Sequence, residues 1–160
     1  MFQFLKKKSG AIEIGAPVRG KAVPISEVDD PTFGDEILGK GVAIRPEDGN
    51  IYAPADGKIE LLFDTMHAVS MTTEEGVEIL VHIGLETVSL KGEHFKAHKA
   101  TGDTVKKGDL LISVDLAAVK SAGFDVITPM VVCNTGDYQS VEAVTGTGVE
   151  PGDTVLKIKI

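Results

Sequence analysis

Apolar and polar residues alternate along this chain in short bursts rather than in helical stripes. Runs at residues 11–14, 20–23, 41–44, 57–63, 67–71, 77–83, 110–114, 126–132 and 154–160 read as strands, some of them recurring about every eight to twelve residues. Turn chemistry lies between them, as Pro46-Glu47-Asp48-Gly49-Asn50, Pro54-Ala55-Asp56-Gly57, Gly102-Asp103 and Pro151-Gly152-Asp153. This pattern predicts an all-β fold, a β-sandwich or barrel-like domain with short helical turns, over residues 11–160. One helical turn is expected at 116–122, capped by Asp115 and stopped by Gly123. Another is expected from Pro31 or Thr32 through Leu38, ending at Gly39.

The most regular run is Val77-Glu78-Ile79-Leu80-Val81-His82-Ile83-Gly84. Strand side chains alternate between faces. Val77, Ile79, Val81 and Ile83 therefore form a core face, and Glu78, Leu80 and His82 point the other way. An imidazole beside an apolar Leu80, with Gly84 leaving open space on the same face, is placed as a nucleophile would be. His67 precedes a good hairpin turn at Thr72-Thr73-Glu74-Glu75-Gly76. A hairpin there brings His67 and His82 toward each other in a register the sequence does not set. Thr65 and His67 share a face if their segment is a strand.

Composition narrows the function. The chain has 160 residues, 42% of them apolar, which is enough for a real core. A net charge of -8 disfavours nucleic acid and suits a basic protein partner. The single Cys133 excludes an intramolecular disulfide, and its place after Pro129-Met130-Val131-Val132 suggests a buried, inert thiol. No apolar run spans a bilayer. The start, Met1-Phe2-Gln3-Phe4-Leu5-Lys6-Lys7-Lys8, is not a secretory signal and is expected, over residues 1–10, as a flexible tail. With neither a spanning run nor a secretory signal, a cytoplasmic protein is expected, and Met1 with its charged tail favours a free-standing protein over a domain excised from a larger polypeptide.

Other chemistry finds less support. His94 and His98 have the spacing of a helical metal pair, but three lysines share their segment and no third ligand stands out, so a solvated loop is expected. Gly146-Thr147-Gly148 lacks the rest of a dinucleotide fingerprint. The turn Gly102-Asp103-Thr104-Val105-Lys106-Lys107-Gly108-Asp109 looks like that of biotinyl or lipoyl carrier domains, yet no lysine has those domains' neighbours. Two internal echoes are visible. Ala16-Pro17-Val18-Arg19-Gly20-Lys21 resembles Ala53-Pro54-Ala55-Asp56-Gly57-Lys58, and Gly102-Asp103-Thr104-Val105 resembles Gly152-Asp153-Thr154-Val155. Either a hairpin device used twice or a duplicated half-barrel accounts for them.

The segment from Gly76 to Val88 resembles the signature of the glucose-type enzyme IIA of the bacterial phosphoenolpyruvate-dependent sugar phosphotransferase system. Ala16-Pro17, Ala53-Pro54-Ala55-Asp56-Gly57, Thr65-Met66-His67-Ala68, Leu90-Lys91-Gly92-Glu93 and Thr128-Pro129 match that family's landmarks in order. The resemblance implies an antiparallel β-sandwich. It implies that His82 is the phosphorylated histidine, on Nε2, that His67 supports it, and that Thr65 supplies a nearby hydroxyl. The donor would be the histidine-containing phosphocarrier protein. The acceptor would be the enzyme IIB domain of a sugar permease, reached at the inner face of the membrane. Phe33, Ile37, Phe63, Leu80 and Val88 fall where the family places its apolar docking surface, and Asp30 and Glu86 near it would attract a basic donor. Regulatory binding of other proteins is compatible with that surface, and a purely regulatory module is the rival reading. No cofactor is expected, apart from a zinc ion held by His67 and His82 when a partner adds a carboxylate. The family commonly has Asp at Glu86 and Gly at His94, so the edge of the docking face differs here.

Overall fold

The computed structural model describes residues 11–160, and the tail expected over residues 1–10 lies outside them. The first half contains β1 (Ala11–Gly15), β2 (Gly20–Pro24), helical turn α1 (Pro31–Gly34), β3 (Lys40–Pro46), β4 (Asn50–Tyr52), β5 (Gly57–Leu62), β6 (Ala68–Thr73) and β7 (Glu78–His82). The second contains β8 (Phe95–Ala97), β9 (Thr104–Val105), β10 (Leu110–Val114), α2 (Leu116–Ser121), β11 (Thr128–Val132), β12 (Ser140–Ala143), β13 (Gly148–Val149) and β14 (Thr154–Lys159). Every strand pair is antiparallel. An eight-stranded sheet runs in the order β13-β2-β3-β11-β7-β6-β5-β9, accompanied by two three-stranded sheets, β1-β14-β12 and β4-β10-β8.

All nine predicted strands are present. The missed ones, β4, β8, β9, β12 and β13, have two to four residues. Segments so short show no alternation to read. Both expected helical turns form, the second on its expected cap, where Asp115 accepts from the Ala118 amide, and the first on Asp30, which accepts from the Thr32 amide. The first is shorter than expected, ending at Gly34 rather than Leu38.

The main core gathers Val77, Ile79, Val81 and Ile83, all at most 2% exposed, with the inward faces of the other strands. A second, smaller cluster covers the opposite face of the large sheet, formed by Val23, Ile25, Val28, Phe33, Ala43, Leu85, Ile127 and Val131. The central strand β11 is therefore buried along its whole length, and its sequence reads as a continuous apolar run rather than an alternation.

The internal echoes coincide with a two-fold repetition within the fold. The order of the eight-stranded sheet reads alike from either end, with the β2–β3 hairpin answering the β5–β6 hairpin about the central β11–β7 pair. The Gly15 amide donates to the Pro54 carbonyl at 2.9 Å, and the Tyr52 amide donates to the Pro17 carbonyl at 2.7 Å. Gly15 and Tyr52 thus exchange roles, as do Pro17 and Pro54. Ala16 donates to Asp153 and accepts from Gly152, and Ala53 donates to Asp109 and accepts from Gly108. The structural counterpart of Gly152-Asp153 is therefore Gly108-Asp109, whereas the sequence echo points to Gly102-Asp103.

Candidate active site

His82 ends β7 with its side chain on the face of Leu80, toward the smaller cluster. The hairpin register pairs it with Ala68. The ring of Phe33, carried by α1, lies 4.9 Å from the His82 ring between centroids. Phe33 itself is 4% exposed, so it forms a wall behind the imidazole rather than a free contact surface.

His67 lies one residue before β6, in a turn over residues 64–67 rather than in a strand. The Met66 amide donates to the Phe63 carbonyl at 2.7 Å, and Met66 takes a left-handed φ of 59°. Such a φ is uncommon outside glycine and is held by the surrounding structure. The Ile83 amide ties the turn to β7 by donating to the His67 carbonyl at 2.7 Å. His67 and His82 meet edge to face, with centroids 5.0 Å apart and planes at 82°. Phe63 closes the far side of His67 at 5.3 Å. Thr65 and His67 do come together, Oγ1 with Nδ1, but through the turn and not through a shared strand face.

The ring nitrogens are assigned by their partners. His82 Nδ1 lies 2.7 Å from the Gly84 carbonyl. A carbonyl only accepts, so Nδ1 carries the proton and Nε2 keeps its lone pair. The Thr65 hydroxyl can donate or accept, so His67 can present Nε2 with or without a proton. Burial, and to a lesser extent repulsion from a charged His82, lower the pKa of His67 from 6.5 to about 4. Burial also lowers that of His82, against opposing effects of the Gly84 carbonyl and the Asp30 carboxylate. Both rings are neutral near pH 7.

Gly84 does not leave open space, as the sequence suggested. Its φ is +74°, and a Cβ there would stand 2.8 Å from the Asp125 carbonyl and from Thr87 Cγ2. The glycine is needed for close approach, and its carbonyl is the partner of His82. That role is absent from the sequence reading, although a glycine two residues past a strand histidine was its visible sign.

Around the pair, Ile37 and Val88 are 69% and 50% exposed, while Leu80 and Phe63 are half-buried. Asp30 and Glu86 line a cleft of about 450 Å³ with Asp29, Leu85 and Asp125. His94 and His98 do not form a helical pair. His94 has a left-handed φ of 77° before β8, and His98 Nε2 lies 2.8 Å from Ser113 Oγ. Among the described residues no three His, Cys, Asp or Glu side chains converge on a metal position, and no helix is long and apolar enough to cross a membrane. Cys133 is exposed, contrary to expectation. The buried run of β11 stops at Val132, one residue earlier.

Fold and site together define an antiparallel all-β domain that carries two neutral, touching histidines on one face. Residues 12–138 match the family model described as phosphoenolpyruvate-dependent sugar phosphotransferase system, EIIA 1. The glucose-specific EIIA component of Oceanobacillus iheyensis is 39% identical over 156 residues, 98% of this chain and 94% of its own. The beta-glucoside-specific EIIBCA component of Bacillus subtilis is 44% identical over 146 residues, which are 91% of this chain and 24% of that longer protein. Glucose permease IIA from Mycoplasma capricolum has the same fold, with a TM-score of 0.84 and 36% identity over 92% of this chain and 95% of its own. The chain belongs to the glucose-type EIIA family of the sugar phosphotransferase system.

Proposed function

We propose that His82 carries a phosphoryl group between two proteins in sugar uptake. The observation that carries this reading is the bond from Nδ1 of His82 to the Gly84 carbonyl at 2.7 Å, which leaves Nε2 as a free nucleophile beside His67. Nε2 attacks the phosphorus of a phosphohistidine on the histidine-containing phosphocarrier protein. The N–P bond of the donor breaks and its electron pair returns to the donor ring nitrogen. Nδ1–H stays in place, so no proton has to move. Onward transfer repeats the step with His82 as the leaving group, to the EIIB domain of a sugar permease. The Bacillus subtilis relative joins EIIB and EIIA in one name and one chain, which supports that acceptor.

The transfer needs alignment and charge stabilisation more than covalent help. His67 donates Nε2–H to the phosphoryl oxygens, and the Thr65 hydroxyl donates to its Nδ1, holding that tautomer. Phe33 and Phe63 keep water from the rings. Ile37, Val88, Leu80 and Phe63 form the docking surface, with Asp30 and Glu86 as its acidic edge for a basic donor. The reading places the chain in the cytoplasm, visiting the membrane through the permease. A phosphate on His82 adds negative charge at the middle of this surface, so regulatory partners would distinguish the two states. His67 and His82 would each offer a ring nitrogen to a zinc ion if a partner supplied a carboxylate. Such an ion would bridge the two proteins.

The test is incubation with phosphoenolpyruvate, enzyme I and the phosphocarrier protein, with the acid-labile phosphate located by mass spectrometry. One phosphate on His82 that depends on the phosphocarrier supports the relay. No phosphate, under conditions that charge the phosphocarrier itself, overturns it.

A further inference from the structure

The peptide that holds His82 is itself held at its other end. The Gly84 carbonyl accepts from His82, and the Leu85 amide of the same peptide unit donates to the Asp125 carbonyl at 2.9 Å. A trans peptide is planar, with C=O and N–H pointing in opposite directions. Anchoring the Leu85 amide therefore aims the Gly84 carbonyl.

The Asp125 carbonyl is placed in turn by its own side chain. Oδ1 accepts from the Ile127 amide at 2.9 Å, an Asx turn that sets the backbone of the loop before β11. Ile127, 2% exposed, is buried in the smaller cluster, and the Phe124 amide ties the loop to α2 through the Val119 carbonyl at 3.3 Å. Gly84 lets this loop come close, because any side chain there would strike the Asp125 carbonyl.

We propose that Asp125 is a positioning residue for the phosphoryl acceptor, acting through the Gly84–Leu85 peptide to keep Nδ1–H of His82 engaged and Nε2 free. This rests on the reading of His82 as the acceptor. The Asp125 carboxylate acts here as a hydrogen-bond acceptor and not as a charge, although it shares the acidic cleft with Asp29, Asp30 and Glu86. Asparagine keeps the acceptor oxygen and removes the charge, whereas alanine removes both.

The experiment combines ring-nitrogen NMR of ¹⁵N-histidine protein with the rate of phosphate acceptance from the charged phosphocarrier. Wild type and Asp125→Asn should show one His82 tautomer, protonated on Nδ1, and equal rates. Asp125→Ala should show averaged ring nitrogens and roughly five-fold slower acceptance, the effect of one ordinary hydrogen bond, with the KM for the donor unchanged. An Asp125→Ala protein with wild-type ring nitrogens and rate overturns the proposal. An Asp125→Asn protein as slow as the alanine variant also overturns it, because charge would then be the cause. The NMR arm needs no donor. A wild type that accepts no phosphate would defeat the acceptor reading while still leaving the role of Asp125 on the ring decided.

Discussion

Gly84 and His82 are joined by a bond that a side chain at position 84 would disturb: the glycine carbonyl receives Nδ1–H at 2.7 Å, from a backbone with φ of +74°. Gly84→Ala should therefore cost about 1–3 kcal/mol through left-handed strain and the contact with Asp125 and Thr87. It should also slow phosphate acceptance. Urea unfolding and the acceptance rate check this together, and an alanine variant with wild-type values for both removes the role given to the glycine.

His67 and His82 should fail differently. His82→Gln abolishes phosphate acceptance because no ring nitrogen remains. His67→Gln should still accept phosphate but pass it on roughly 10²-fold more slowly, the scale of losing one donor to transition-state charge. Rapid-quench measurement of both half-reactions separates the two, and normal onward transfer by the His67 variant would contradict its assignment.

Thr65→Val keeps the shape of the side chain and removes its hydroxyl from His67 Nδ1. Onward transfer should fall about five-fold, while Thr65→Ser should restore it. Loss in the serine variant as large as in valine would mean that packing, not the hydroxyl, matters at this position.

Acid should destabilise the fold through the buried histidines. Their pKa values are lowered on folding, to about 4 for His67. Between pH 6.5 and about 4 the unfolded chain binds protons that folded His67 does not. Stability from this residue is complete above 6.5 and declines as pH falls through that window. Urea unfolding at several pH values should show this slope, and it should flatten in His67→Gln. An identical slope in the variant would place the acid sensitivity elsewhere.

Cys133 should react with a water-soluble disulfide reagent in the folded protein, because its side chain is exposed. Partial burial and the nearby Glu78 raise its pKa above the usual thiol range. Reaction should therefore be slow at pH 7 and speed up as pH rises. Protection equal to that of a buried thiol, lifted only by denaturant, would show the exposure to be wrong.

Much of this molecule was legible in the chain itself. Alternation in residues 77–83 placed Val77, Ile79, Val81 and Ile83 in the core and His82 on the opposite face, because a strand has a period of two whatever it pairs with. Asp115 announced its helical turn, since capping is a local bond. Cys133 was misjudged because an apolar run does not reveal at which residue its burial ends.

What tertiary structure alone decided is how the site is assembled. The register that pairs His82 with Ala68, the turn that brings His67 and Thr65 together, and the burial of Phe33 against His82 depend on contacts between distant segments. So does the counterpart of Gly152-Asp153, which hydrogen bonding assigns to Gly108-Asp109 and local similarity did not. The identities of the two histidines and of Thr65 are written locally. The proton on Nδ1 of His82 is set by the Gly84 carbonyl, whose approach depends on the distant loop at Asp125, and alternation along the chain does not show that contact.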